Sequence, residues 1–142
     1  MILVIDDNDA TRYVLVRLLK ANGYEATGVC DGSQALLFLQ THRPRLIILD
    51  CHMPCLDGFG VLRAVRAHAE WVHTPVLMFS ADSASEDQAL RSGANGFILK
   101  GSLDWAQVSE AVERYAGNLA QHGAPRSTQP GPSTASEGAN PF

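Results

Sequence analysis

An α/β fold built on a parallel sheet follows from two features of this sequence. Short apolar runs alternate with helical patterns five times, the signature of consecutive βαβ units. Three of the runs, residues 2–5, 46–49 and 97–99, are apolar throughout, as strands buried on both faces must be. Each of the three ends on a residue with chemistry: Asp6 and Asp7, Asp50, and Lys100. The carboxyl ends of parallel strands line up along one edge of the sheet, where ligands bind. Three carboxylates and an ammonium would therefore meet in one cleft, a setting for a hard divalent cation and an oxyanion.

The elements can be justified in order. After the first strand, Asn8 or Asp9 can cap a helix that carries Val14, Leu15, Leu18 and Leu19 on one face, and Asn22-Gly23 supplies its stop. A second strand over about 24–29 leads through Asp31-Gly32-Ser33 into a helix with Ala35, Leu36 and Leu39 inward, closed by Pro44. The third strand delivers Asp50 into the loop 51–57, and Phe59, Leu62 and Val65 face inward on the helix that follows. Pro75 opens the fourth strand, which ends on Ser80-Ala81. A helix near 85–92 is poor in apolar residues and is expected to be the least firmly docked. The fifth strand carries Phe97, and the last helix presents Trp105, Val108, Val112 and Tyr115 at helical spacing. Right-handed crossovers make this a three-layer sandwich.

Composition sets limits on the function. The chain has 142 residues, 46% hydrophobic and 18% charged, a globular balance that suits one domain with its own core. A net charge of −4 gives no general nucleic-acid footprint, so direct DNA binding is not expected. The longest apolar stretches fall far short of the roughly 20 residues that span a bilayer. Met1 runs straight into the first strand with no basic or cleavable segment ahead of it, so a cytoplasmic protein is expected. Three cysteines, an odd number without framework spacing, agree with a reducing compartment. From about residue 118 to Phe142 the sequence turns to Gly, Pro, Ser, Thr, Ala and Gln, which reads as a disordered tail or linker after a domain over 1–117.

The ordered set Asp6-Asp7, Asp50-Cys51-His52-Met53-Pro54-Cys55-Leu56-Asp57-Gly58, Ser80-Ala81 and Lys100 resembles the receiver domain of bacterial two-component response regulators, of the single-domain chemotaxis-regulator type. The resemblance covers residues 1–117. It implies a flavodoxin-like, doubly wound five-stranded parallel sheet of order 2-1-3-4-5 with five helices. It implies Asp50 as phosphoacceptor, with Mg²⁺ (or Mn²⁺) held by Asp7, Asp50 and the backbone carbonyl of His52, and by Asp6 largely through water. Lys100 would pair with Asp50 and then with the phosphoryl group, and Ser80 with the Ala81 backbone N–H would receive the phosphoryl oxygens. Ser80 and Phe97 would form the switch pair. His52 and Asp82, two positions beyond the acceptor and the Ser, would tune dephosphorylation. The partners implied are a sensor histidine kinase or histidine phosphotransfer protein, and a downstream protein on the face of the fourth helix, fifth strand and fifth helix. A phosphorylation-dependent homodimer is also compatible with the family.

Chemistry read from the residues agrees. A carboxylate can act as nucleophile toward phosphorus, and Mg²⁺ with a cation neutralises the transferring group. Taken singly, each motif has an ordinary reading. Adjacent Asp residues after a strand often serve turns and caps, and a strand-end Lys is usually a solvated charge. Cys51, His52 and Cys55 give three soft ligands without paired zinc spacing, with Cys30 at another strand end, so loop packing is preferred to zinc. One departure stands out. The family places Pro after its strand-five Lys, in a cis peptide, whereas Gly101 stands here; a trans bond is expected, with glycine's tolerance of positive φ relieving the geometry.

Gly101, Phe97 and His52 are the features that favour the alternative, a phosphate-independent interaction or dimerisation module. A phosphatase using an aspartyl nucleophile would need a second Asp where His52 stands. An FMN site would need a phosphate-cradling loop where two acids stand instead. The expected protein is therefore a switch rather than an enzyme with an external substrate.

Overall fold

The computed structural model describes residues 1–102 and 104–117. Five parallel strands, β1 (Ile2–Ile5), β2 (Ala26–Val29), β3 (Leu46–Asp50), β4 (Val76–Ser80) and β5 (Gly96–Leu99), form one sheet in the order β2-β1-β3-β4-β5. The helices are α1 (Asp9–Ala21), α2 (Gly32–Leu39), α3 (Gly58–Ala67), α4 (Glu86–Arg91) and α5 (Trp105–Ala116). Fold class and strand order are as expected. The residues assigned to a tail, 118–142, lie outside the described residues.

Alternation along the buried strands divides the core in two. Leu3, Ile5, Ile47, Leu49 and Met78 face the side of α2, α3 and α4, while Val4, Ile48, Leu77, Phe79 and Ile98 face α1 and α5. Each long helix begins on a side-chain cap at a strand exit. Asn8 accepts from the Thr11 N–H, Asp31 from Gln34, Asp57 from Gly60 and Asp104 from Ala106. Gly23, at φ +91°, follows α1 as the expected left-handed stop.

Three details differ from expectation. Val14 is 42% exposed, and the buried stripe of α1 runs through Leu15 and Leu19 with Val16 beside them. Val14 lies about 100° round the helix from Leu15, so an apolar side chain there clears the sheet. β2 starts at Ala26, because 24–25 only approach the edge, where the Ile2 N–H donates to the Glu25 carbonyl. The region 85–92 begins as a 3₁₀ turn, Ser83–Ser85, leaving α4 six residues long with Ala89 as its buried residue.

Candidate functional site

β1 and β3 are hydrogen-bonded neighbours in register, with Ile5 opposite Leu49, so Asp6 and Asp50 leave the sheet side by side. Carboxylate oxygens of Asp6, Asp7 and Asp50 lie within 4.8 Å of one another. Asp6 and Asp50 are buried and Asp7 is exposed, which opens the cluster to solvent on one side. β4 and β5 pair with Ser80 opposite Leu99, and Lys100 follows as the first residue of a 3₁₀ turn.

Lys100 bridges the two buried acids: its Nζ lies 2.8 Å from Asp6 Oδ2 and 3.2 Å from Asp50 Oδ1. Pairing with Asp50 was expected, whereas the shorter contact to Asp6 was not. That shorter contact is an ion pair rather than an aligned hydrogen bond, and Asp6 Oδ2 has no well-oriented donor. Burial, and next the charge of Asp6, push the Asp50 carboxyl up to about 6 despite Lys100. Burial alone would lower the Lys100 ammonium, but its contact with Asp6 and the charges of Asp50 and Asp6 leave it above its ordinary value.

The surroundings of Asp50 explain the loop sequence. A Cβ at Gly58 would sit 2.1 Å from the Asp50 carbonyl oxygen, and the Gly58 N–H donates to the Cys51 carbonyl. Only glycine lets α3 start this close to the end of β3. Cys55, at φ +67°, takes the left-handed turn. Cys51 is buried, and burial with the Asp50 charge raises its thiol to about 11, so it is an inert packing residue. The soft residues of this loop do not gather: Asp6, Asp7 and Asp50 are the group of three or more metal-type ligands among the described residues.

The remaining expected residues fall around this centre. The His52 N–H faces Asp50 Oδ1 at 3.4 Å, while its exposed ring lies 3.1 Å (Nε2) from Ser85 Oγ and edge-on to Phe59. The buried Ser80 hydroxyl accepts from the Asp82 N–H at 3.0 Å, and Ala81 is exposed beyond it. The Asp82 carboxylate accepts from the Ala84 N–H and so caps the 3₁₀ turn before α4. Phe97 is half-buried against the core on the α4 side. The Lys100–Gly101 peptide is trans, as expected. Gly101 does not, however, use positive φ, and a Cβ there would meet nothing within 4 Å among the described residues.

Sequence reasoning missed several participants. Asp6 Oδ1 accepts from the Asn8 N–H at 2.9 Å, and the Asp6 carbonyl accepts from Arg12 Nη1 at 2.8 Å. Ser85 opens α4 without capping it, its hydroxyl being turned to His52. Arg66 ties three segments together, donating to the carbonyls of Gly93, Val72 and Thr74 and to Asn95 Oδ1. None of these carries a short-range motif; the Asn8–Asp9–Arg12 spacing on one helix face is the one sequence signal available.

The family model of the response regulator receiver domain matches residues 2–113. The chain belongs to this family, the receivers of two-component signalling. It is 34% identical over 102 residues to the chemotaxis protein CheY of Pseudomonas aeruginosa, covering 70% of this chain and 82% of that one. It is 37% identical over 101 residues to a probable transcriptional regulator ycf27 of Cyanophora paradoxa, covering 70% of this chain but 41% of that relative's length. Among solved structures it resembles CheY4 of Vibrio cholerae, with 28% identity, a TM-score of 0.75, and coverage of 80% of this chain and 96% of that one. It also resembles the receiver domain of a sensor histidine kinase from Pseudomonas aeruginosa, which holds a magnesium ion in its active-site cleft. That match has 29% identity and a TM-score of 0.75, with 82% and 97% of the two chains covered. Among the described residues no helix is long and apolar enough to cross a membrane.

Proposed function

We propose that this receiver is a phosphoacceptor switch, phosphorylated on Asp50 by a histidine kinase or a histidine phosphotransfer protein and signalling by docking to another protein. The observation that carries the reading is the Lys100 ammonium set between Asp6 and Asp50, with Asp7 open beside them. The donor set fits Mg²⁺, which takes one or two carboxylates and completes its octahedron with water and phosphate oxygens. Asp7, Asp50 and the His52 carbonyl would hold it, Asp6 acting through water; bound there, it would neutralise charge on the phosphoryl oxygens.

In the transfer, an Asp50 carboxylate oxygen attacks phosphorus. The phosphorus–nitrogen bond of the donor phosphohistidine breaks, and the departing imidazole keeps the electron pair. Lys100 then follows the phosphoryl group. Ser80 gives up its contact with the Asp82 N–H to donate to a phosphoryl oxygen, beside the Ala81 N–H, and Phe97 turns into the space vacated. His52 and Asp82 set the lifetime of the acyl phosphate. The output surface is the α4–β5–α5 face, where a groove of about 190 Å³ lies between β5 and α5, lined by Leu77, Gly96, Ile98, Ala111, Arg114 and Tyr115. A cytoplasmic location, a domain over 1–117 and a tail over 118–142 complete the reading.

The test is intact mass after incubation with Mg²⁺ and acetyl phosphate, for the wild type and Asp50→Asn. One phosphoryl group on the wild type alone supports the switch. No addition and no Mg²⁺ binding would sink it in favour of a phosphate-independent interaction or dimerisation module.

A further inference from the structure

We infer that Arg12 is a positioning residue for the metal site, and that Gly28 on the neighbouring strand exists to seat it. The inference rests on the Mg²⁺ site proposed above and concerns what sets its geometry. Arg12 stands on the first turn and a half of α1. Its Nη1 donates to the Asp6 carbonyl at 2.8 Å and its Nη2 to Asp9 Oδ1 at 2.6 Å. The accepting carbonyl belongs to the peptide that joins Asp6 to Asp7. Asp6 is thereby held at three points: its carbonyl by Arg12, Oδ1 by the Asn8 N–H, and Oδ2 by the Lys100 ammonium. Asp7 is exposed, so its position depends on the backbone from which it emerges.

Gly28 supplies the independent observation. It lies inside edge strand β2, where glycine weakens a strand and usually marks a bulge or a close approach. Its φ is not in the left-handed region, so the backbone conformation does not call for glycine. What calls for it is the packing of α1, with Arg12 nearest: a Cβ at 28 would lie 2.9 Å from Arg12 Cγ, 3.0 Å from Cδ and 3.3 Å from Val16 Cγ2. The arginine stem lies across the bare backbone of β2, which aims the guanidinium fork at the Asp6–Asp7 peptide. A lysine in its place keeps the charge but has no rigid fork to bridge a carbonyl and a carboxylate.

Charge and geometry predict opposite signs. If Arg12 acted only as a charge near a cation site, removing it would tighten Mg²⁺ binding. If it positions the acids, removing it loosens binding, as loss of an outer-shell partner of a metal ligand commonly does.

The experiment is a calorimetric Mg²⁺ titration of the full chain for wild type, Arg12→Gln, Arg12→Lys, Gly28→Val and the control Arg17→Gln. Arg17 is a second arginine of α1, engaged instead with Tyr13 on the exposed side. Metal-free thermal unfolding of each variant establishes that the protein titrated is folded. The expected result is that Arg12→Gln, Arg12→Lys and Gly28→Val all weaken Mg²⁺ by about ten-fold or more, while Arg17→Gln does not. Gly28→Val leaves the guanidinium chemically intact and adds a good strand former, so its loss of affinity would come from displacing the α1 side chains packed there, Arg12 first and Val16 less closely. Wild-type affinity in Arg12→Lys and Gly28→Val, or tighter binding in Arg12→Gln, would overturn the inference while leaving the metal site standing. A wild type that binds no Mg²⁺ would overturn the site reading itself.

Discussion

Replacing Asp50 with Asn should stabilise the protein when metal is absent. The side chains are nearly isosteric, so the substitution removes a charge and little else. In the fold, that charge has carboxylate oxygens of Asp6 and Asp7 within 4.8 Å, and the residue is 4% exposed. Two unit charges at that separation repel by roughly 3–4 kcal/mol at an effective dielectric of about 20. Lys100 attracts both Asp6 and Asp50, but its pull on Asp50 is weaker than burial and the Asp6 charge, so a net cost is left over. The result is an Asp50 carboxyl raised from 3.8 to about 6. At about 1.4 kcal/mol per pH unit, ionised Asp50 costs the fold at most about 3 kcal/mol at neutral pH. Solvent reaching the open side of the cluster reduces this to about 1–2 kcal/mol, or roughly 5–10 °C in Tm for a domain near this size. The sign with pH follows from proton uptake. Between 3.8 and about 6 the folded state binds more protons than the unfolded chain, so Asp50's contribution is fully present below 3.8 and lost as pH rises through about 6. Thermal unfolding in a chelator should therefore show the variant's advantage growing from pH 4 to pH 6.5 and then levelling. Saturating Mg²⁺ should reverse it by stabilising the wild type, by about 2.7 kcal/mol at a hundred-fold excess over Kd. A variant no more stable than the wild type at pH 7.5 without metal would show that Lys100 fully compensates the cluster, and the crowding argument would fail.

Other expectations test the supports of the site. Arg66→Ala should cost about 2–4 kcal/mol by urea denaturation, because it strips a part-buried cation from three carbonyls and Asn95 at once. A loss under about 0.5 kcal/mol would mean those groups find water instead. Gly58→Ala should destabilise by about 1–3 kcal/mol or more, since its Cβ meets the Asp50 carbonyl at 2.1 Å and α3 must retreat; the same variant should lose Mg²⁺ affinity in a calorimetric titration. Cys55→Asn should hold or raise the urea midpoint, and Cys55→Val should lower it by about 1 kcal/mol, because φ +67° tolerates Asn and penalises a β-branched side chain.

The strands that carry the site were the most legible part of the sequence. A run apolar at every position has one home in an α/β sandwich, and its last residue must then lie at the sheet edge. That is why Asp6, Asp50 and Lys100 could be placed together from residue types alone. Val14 reads as inward in the sequence because neighbouring stripes of a helix differ by about 100° and hydrophobicity does not say which one meets the sheet. Trp71 carries no sequence signal because it sits between α3 and β4, where there is no period to read; it is buried in the core and stacked on His68 at 3.7 Å. Arg12 with Gly28, and His52 with Ser85, are pairings across elements, made by topology rather than by local pattern.

The substitution of Gly101 for the family's proline bears on how Lys100 is aimed. Two elements could set that aim: the strand before it or the peptide after it. Leu99 is fixed opposite Ser80 by the β4–β5 ladder, and Lys100 Nζ already reaches both acids with a trans peptide following. At Gly101 neither positive φ nor a close neighbour among the described residues calls for glycine. The strand therefore sets the aim, and Gly101→Ala should leave it intact. Stability should rise by about 0.4–1 kcal/mol, because the unfolded chain loses freedom that the fold never used. Mg²⁺ affinity and the rate of phosphoryl uptake from acetyl phosphate should stay within two-fold of wild type. A ten-fold loss of uptake with stability unchanged would show that the residue after Lys100 steers the ammonium after all, and that the glycine is a functional departure rather than a neutral one.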